Sequence, residues 1–230
     1  MQTIESRRVA PTADEHWWAR ARRSVLLREV GRLGSPGVAL DVGAGDGAAS
    51  RGLMSLGWDV TAIDADPSAV ARCRATGVDA YEADARWLPL PSDAFDLVTC
   101  FETLARIDED DQAAHELTRV LRPGGTALIT VPHDMTLWSA HDLTLGRVRR
   151  YSRDAVTLLL TEAGLTVDAL INLNTLLRPL IRLTRHRSAG FEHTPRHRTT
   201  NRALALTQYA DRHLRTLPGT ALLVRAHRPA

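Results

Sequence analysis

The chain contains no lysine: all 29 of its basic side chains, histidine aside, are arginine. That removes every chemistry needing a deprotonatable amine, including Schiff-base catalysis, and it removes the phosphate-loop lysine as well. Cysteine is nearly as scarce, with only Cys73 and Cys100. Two thiols cannot build a disulfide framework or a zinc site, and one in a helical pattern and one in an apolar strand pattern read as buried. No apolar run approaches the roughly 18 residues that cross a bilayer, and the N-terminus lacks the charged-then-apolar order of a secretion signal. A cytoplasmic protein without a membrane span is therefore expected. The formal net charge is only +2, but it is unevenly spread. Between Leu176 and Leu217 stand nine arginines and four histidines against Glu192 and Asp211 alone. Phe191 and Tyr209 are the only aromatics there to stack on bases, so a nucleic-acid partner is the alternative and not the expectation.

Val38–Val42 is short and apolar apart from Asp41, as a buried parallel strand should be, and it runs straight into Gly43, Gly45 and Gly47. A helical pattern follows at Leu53, Met54 and Leu56. Alternating glycines let the main chain bend at positive φ and approach a ligand closely, although a ligand-free β-to-α turn uses the same residues. A second strand, Asp59–Ile63, ends at Asp64, 17 residues after Gly47, where an acidic residue can accept hydrogen bonds from ribose hydroxyls. Asp66 directly precedes Pro67 and reads as the cap of the next helix. A dinucleotide would need Gly-x-Gly-x-x-Gly and an approachable helix N-terminus. Here Asp46 stands where a pyrophosphate would come, which suits a cationic ligand or simple capping.

With those residues in view, Leu40-Asp41-Val42-Gly43-Ala44-Gly45-Asp46-Gly47 resembles motif I of the class I S-adenosylmethionine-dependent methyltransferases. Ile63-Asp64 is similar to that family's ribose-binding acid and Glu82-Ala83-Asp84-Ala85 to its adenine-contacting loop. Phe95-Asp96-Leu97-Val98 resembles its fourth strand, and Arg119 to Gly125 the turn before its fifth. The resemblance covers roughly residues 36 to 175 and a final strand. It implies an α/β, doubly wound, Rossmann-like sheet of seven strands in the order 3-2-1-4-5-7-6, with strand 7 antiparallel. The implied cofactor is S-adenosylmethionine, leaving as S-adenosylhomocysteine, with no metal. Asp41, Gly43, Ala44, Gly45, Gly47, Asp64, Ala65, Asp84 and Ala85 would hold it, with Glu102 on its ammonium group.

The chain is most similar to a branch carrying His-Trp-Trp near the N-terminus and Trp-Ser-x-His-Asp and Arg-Arg-Tyr after the fifth strand. Those are His16-Trp17-Trp18, Trp138-Ser139-Ala140-His141-Asp142 and Arg149-Arg150-Tyr151. Relatives in that branch have Glu-His and Gly-His where this chain has Ala105-Arg106 and Gly146-Arg147, so a Glu-His acid/base or metal role does not carry over. Arginine stays protonated and lysine is absent, so a base must be His, Asp, Glu, Tyr or Cys. His141 is the first candidate and His133, just past the fifth strand, the second. A structural histidine bonded to the loop's main chain is the competing reading of His141. Arg147, Arg149, Arg150, Tyr151 and Trp138 are the candidate acceptor-binding residues. Arginine forks grip carboxylate or phosphate, although the same cluster would equally pair with the chain's own carboxylates. Asp108 to Asp111 reads as a solvated helix start.

Residues 1–34 are expected as an N-terminal helical lid and 35–230 as the methyltransferase domain, with 174–218 a basic insertion before the last strand. A helix is expected from about Asn201 to Leu217, because a structureless loop that long is improbable. After Pro132 the chain reads as irregular to Tyr151, then as a helix capped by Ser152. The expected function is methyl transfer to a small-molecule metabolite, at oxygen and in secondary metabolism, with an acidic or carrier-linked acceptor, by a monomer or homodimer. A cofactor binder with little turnover and a nicotinamide oxidoreductase are the alternatives.

Overall fold

The structure is a computed structural model that describes residues 25, 27–176, 178–179, 182 and 217–230. His16, Trp17 and Trp18, most of the expected lid, the expected helix from about 201 and most of the basic block lie outside the described residues.

The chain runs β1 (Val38–Val42), α1 (Ala48–Met54), β2 (Asp59–Asp64), α2 (Pro67–Ala75), β3 (Asp79–Glu82) and β4 (Phe95–Phe101). It continues α3 (Asp110–Val120), β5 (Leu121–Pro132), α4 (Ala140–Thr144), α5 (Arg153–Glu162), β6 (Thr166–Leu173) and β7 (Ala221–His227). The strands form one sheet in the order β3-β2-β1-β4-β5-β7-β6, the order the motifs imply. Pairings from β3 to β5 are parallel, and β7 runs antiparallel to both β5 and β6.

Alternation along each strand divides the core between the two faces of the sheet. Leu40, Val42, Val98, Cys100, Ile129 and Val131 pack on one face with Leu117 of α3 and Val156 of α5. Ala39, Val60, Leu97 and Leu128 pack on the other with Leu53 of α1, Trp58 and Val30, which closes the helical stretch at 27–30. Both cysteines are buried and free, Cys73 on α2 and Cys100 on β4.

Local chemistry sets the element ends. Asp66 caps α2 by accepting from the Ser68 amide, with Pro67 in the first turn, and Ser152 caps α5 by accepting from the Ala155 amide. The strand expected from Thr126 begins at Leu121, which pairs with Phe95 before the register shifts and Thr126 meets Leu97. The intervening residues, Gly124 at φ 78° among them, are absorbed as a bulge. The stretch expected to be irregular contains α4. Its start is fixed by a capping box in which the Asp142 carboxylate accepts from the Ser139 amide and hydroxyl. The acidic run at 108–111 is not uniformly solvated either. Asp110 is buried, taking the Tyr151 hydroxyl at 2.5 Å and Arg149 Nη1 at 2.5 Å.

Candidate cofactor and acceptor site

The carboxyl ends of β1 and β4 lie side by side where the strand order reverses, which is where doubly wound sheets bind ligands. The glycine loop leaves β1 at that edge. Gly43, Gly45 and Gly47 all take positive φ, at 75°, 62° and 77°. Gly43 is also closely packed, since a Cβ there would stand 1.9 Å from Thr103 Oγ1 at the end of β4. Around Gly45 there is room, for its Cβ would meet no atom of the described residues within 4 Å. The loop is sewn to β2 by the Gly43 and Ala44 amides, which donate to the Ile63 carbonyl at 2.7 and 3.1 Å. Asp46 accepts from the Ala48 amide at 3.2 Å, one residue before Gly47, the N-cap of α1, and puts a carboxylate beside the loop.

Asp64, half-buried at the end of β2, takes the Gly45 amide on Oδ2 at 2.8 Å and the Asp66 amide on Oδ1 at 2.9 Å. Each oxygen keeps a lone pair for a further donor. Ala65 next to it is exposed. Asp41 lies beneath the loop and faces no solvent. Its oxygens accept from Ser50 Oγ at 2.6 Å and Thr99 Oγ1 at 2.8 Å, tying β1 to α1 and β4. Burial raises its carboxyl above the usual range despite those two bonds. Asp84 follows β3 and is gripped by Arg86, whose Nη2 is 2.6 Å from Oδ2 and whose Nη1 reaches Glu109 at 2.5 Å. The Arg86 contact holds Asp84 below the usual carboxylate range, and Ala85 between them is buried.

Glu102 comes directly after β4. It is buried, it adopts φ 61°, and its amide donates to Thr130 of β5 at 2.8 Å. A glutamate in the left-handed region is strained, and such strain concentrates at functional sites. Its Oε2 accepts from Arg147 Nη2 at 2.6 Å, while Arg147 Nη1 reaches Asp142 at 2.9 Å. Arg150 forks onto the same Asp142 and donates through Nη1 to the His133 carbonyl at 3.0 Å. Arg149 pairs with Asp110. All three arginines expected to meet an anionic acceptor are thus in ion pairs with the chain's own carboxylates. Tyr151 is core: its buried hydroxyl donates to Asp110, and burial with that carboxylate raises its ionisation well above the ordinary range. Trp138 is half-buried behind the turn at Met135–Leu137. At the other departure from the branch pattern, Ala105 is buried and Arg106 exposed, so of the two substituted arginines it is Arg147 that enters the site.

The two candidate bases are held differently. His133 pairs with Tyr151 in a parallel bridge, and its Nδ1 is 2.8 Å from the Tyr151 carbonyl. A carbonyl only accepts, so Nδ1 carries the hydrogen and the neutral ring presents its lone pair at Nε2. His141 lies in the first turn of α4, with Nδ1 3.4 Å from the Thr144 hydroxyl, a contact that fixes no tautomer.

Residues 40–129 match the family model of a methyltransferase domain. Among relatives, a "probable S-adenosylmethionine-dependent methyltransferase" of Mycobacterium tuberculosis is 29% identical over 176 residues, 74% of this chain and 64% of the relative. The demethylmenaquinone methyltransferase of Mycobacterium bovis is 32% identical over 121 residues, 53% of this chain and 50% of that one. The chain therefore spans less than two thirds of the length of the curated relatives it matches. Among solved structures, an S-adenosylmethionine-dependent methyltransferase from Mesorhizobium loti superposes with a TM-score of 0.66 at 19% identity, covering 93% of this chain and all of that one.

The residue at the centre of these ion pairs that the sequence reading passed over is Asp142. It stood in plain view as the fourth residue of Ser139-Ala140-His141-Asp142, a capping-box spacing. Its two arginine partners could not be read from spacing, because the loop after α4 has to fold back before they meet it.

Proposed function

We propose that the protein transfers the methyl group of S-adenosylmethionine to an oxygen of a neutral, largely apolar small molecule, with His133 as the base. The observation that carries the donor is the joint of glycine loop and carboxylate, with Gly45 bare and its amide on Asp64. Asp64 would take the ribose hydroxyls and Asp84 the adenine edge. Asp46 and Asp64 supply the negative surroundings that a sulfonium cofactor needs. The family match and the relatives' names support the same reading.

The bound cofactor would supply an activated methyl group, which leaves the protein to orient the acceptor, exclude water and remove a proton. His133 Nε2 can take that proton, because Nδ1 is already committed to the Tyr151 carbonyl. The acceptor reading follows from charge. Arg147, Arg149 and Arg150 are neutralised internally, and Met135, Leu143 and Val148 in the same loop region are exposed. An acidic or carrier-linked acceptor would have to break those pairs. The likeness to a demethylmenaquinone methyltransferase points the same way. A second reading, a cofactor binder with little turnover, draws on the cation pinned to Glu102 where the branch has a histidine.

The test is release of S-adenosylhomocysteine with matched panels of neutral phenols or quinols and of aromatic carboxylates. Turnover is expected with the first panel, reduced about 100-fold or more in His133→Asn and little changed in His141→Asn. Turnover confined to carboxylates would overturn the acceptor reading, and release with neither panel would favour the binder.

A further inference from the structure

Glu102, Arg147, Asp142 and Arg150 form one continuous ionic chain. Their side chains are 4%, 11%, 0% and 7% exposed. At its centre Asp142 accepts from the Ser139 amide and from both guanidinium groups. One arm ends on the strained Glu102 beside the glycine loop, and the other on the main chain of His133. Two carboxylates and two guanidiniums balance, so the chain is neutral as a whole.

Stability alone does not account for such a network. Removing four charges from water costs more than their mutual attraction returns unless every contact is good, and apolar side chains of the same volume often do as well. Here, moreover, Arg147 Nε is buried without a hydrogen-bond partner among the described residues. What the network does provide is geometry, since it links two groups that arise on neighbouring strands.

We infer that Asp142 is a positioning residue that sets Glu102 and His133 relative to each other, so that the cofactor end and the acceptor end of the site are held by one buried carboxylate. The inference rests on the cofactor reading above but not on the identity of the acceptor. Asp142 touches neither ligand; it acts through Arg147 on Glu102 and through Arg150 on His133. Charges of both signs surround His133: Asp134 paired with Arg178 follows it, and Arg150 crosses its carbonyl.

The two arms separate in two variants. In Asp142→Asn two guanidiniums lose their counter-charge. The His133 ring should lose its fixed Nδ1-hydrogen tautomer, and affinity for the cationic cofactor should drop roughly tenfold or more, the scale of one unbalanced charge within about 12 Å at an effective dielectric of about 20. In Arg150→Gln the same loss of the fixed tautomer is expected, while cofactor affinity does not fall, because the Arg147 arm is intact and the charge removed is a cation. Both are read without an acceptor, from ring-nitrogen NMR at fixed pH, assigned with His133→Asn, and from calorimetry with S-adenosylmethionine. Folded variants in which His133 and cofactor affinity match the wild type would reduce Asp142 to a cap of α4 and overturn the inference, as would two variants that fail to fold. If the wild type itself does not bind S-adenosylmethionine, the cofactor reading fails first, and the NMR arm still decides the coupling of Asp142 to His133.

Discussion

At the scale of single residues, the three glycines of the loop do different work under one spacing. Gly43 is glycine because Thr103 occupies the place of its side chain, Gly45 because φ 62° and an open approach are both required. Gly43→Ala should therefore cost stability, by about 3 kcal/mol or more from clash and backbone strain together. Gly45→Ala should cost only about 1–2 kcal/mol of strain, but weaken cofactor binding by putting a methyl on the open side. Thermal unfolding and calorimetry on the pair separate the two effects; equal losses in both would mean that the loop tolerates no distinction. The spacing Gly43-x-Gly45-x-Gly47 was legible in the sequence because main-chain demands are written in local residues. The burial of Asp41 was not, since it depends on Ser50 and Thr99 arriving from α1 and β4.

At the scale of elements, the segment after β5 is where local reading ran out. α4 could have been found from Ser139 and Asp142, yet the arginines that follow could be read either as open to an anion or as a surface cluster paired with the chain's own carboxylates. Their partners Glu102, Asp110 and Asp142 lie on three separate segments, so only the folded chain brings them together. This segment also sets an acid limit. Burial would raise the Asp134 carboxyl, but Thr136 and Arg178 outweigh it and hold it at about 2. Burial would likewise raise the Asp142 carboxyl, but Arg150 and Arg147 outweigh it and hold it below the usual carboxylate range. A folded-state pKa below the unfolded value contributes stability that is full above the unfolded value and lost as pH falls through the folded one. Stability should therefore decline between about pH 4 and pH 2. Asp134→Asn should decline less over that window, and unfolding temperatures measured across it check this; parallel curves for variant and wild type would contradict it.

At the scale of the whole molecule, a parallel sheet with one antiparallel strand places the glycine loop, Asp64, Asp84, Glu102 and His133 at the carboxyl ends of the parallel strands. Strand order was what the family resemblance implied, and strand positions followed from short apolar runs ending in glycine, aspartate or proline. Asp64 was legible for the same reason, being the last residue of a strand at a fixed distance from the loop. The acceptor side was not, because its charge balance is a property of the assembled loop region. The account as a whole rests on the edge formed by β1, β2 and β4 being a seat for a cationic nucleoside. Calorimetric titration with S-adenosylmethionine, and with NAD for comparison, tests this most directly in the wild type and in Asp64→Ala. The account predicts binding of S-adenosylmethionine but not NAD, and a loss of roughly 1.5–3 kcal/mol in the variant, the scale of hydrogen bonds to a charged acceptor. Binding of NAD without S-adenosylmethionine, or affinity untouched by removing Asp64, would contradict it.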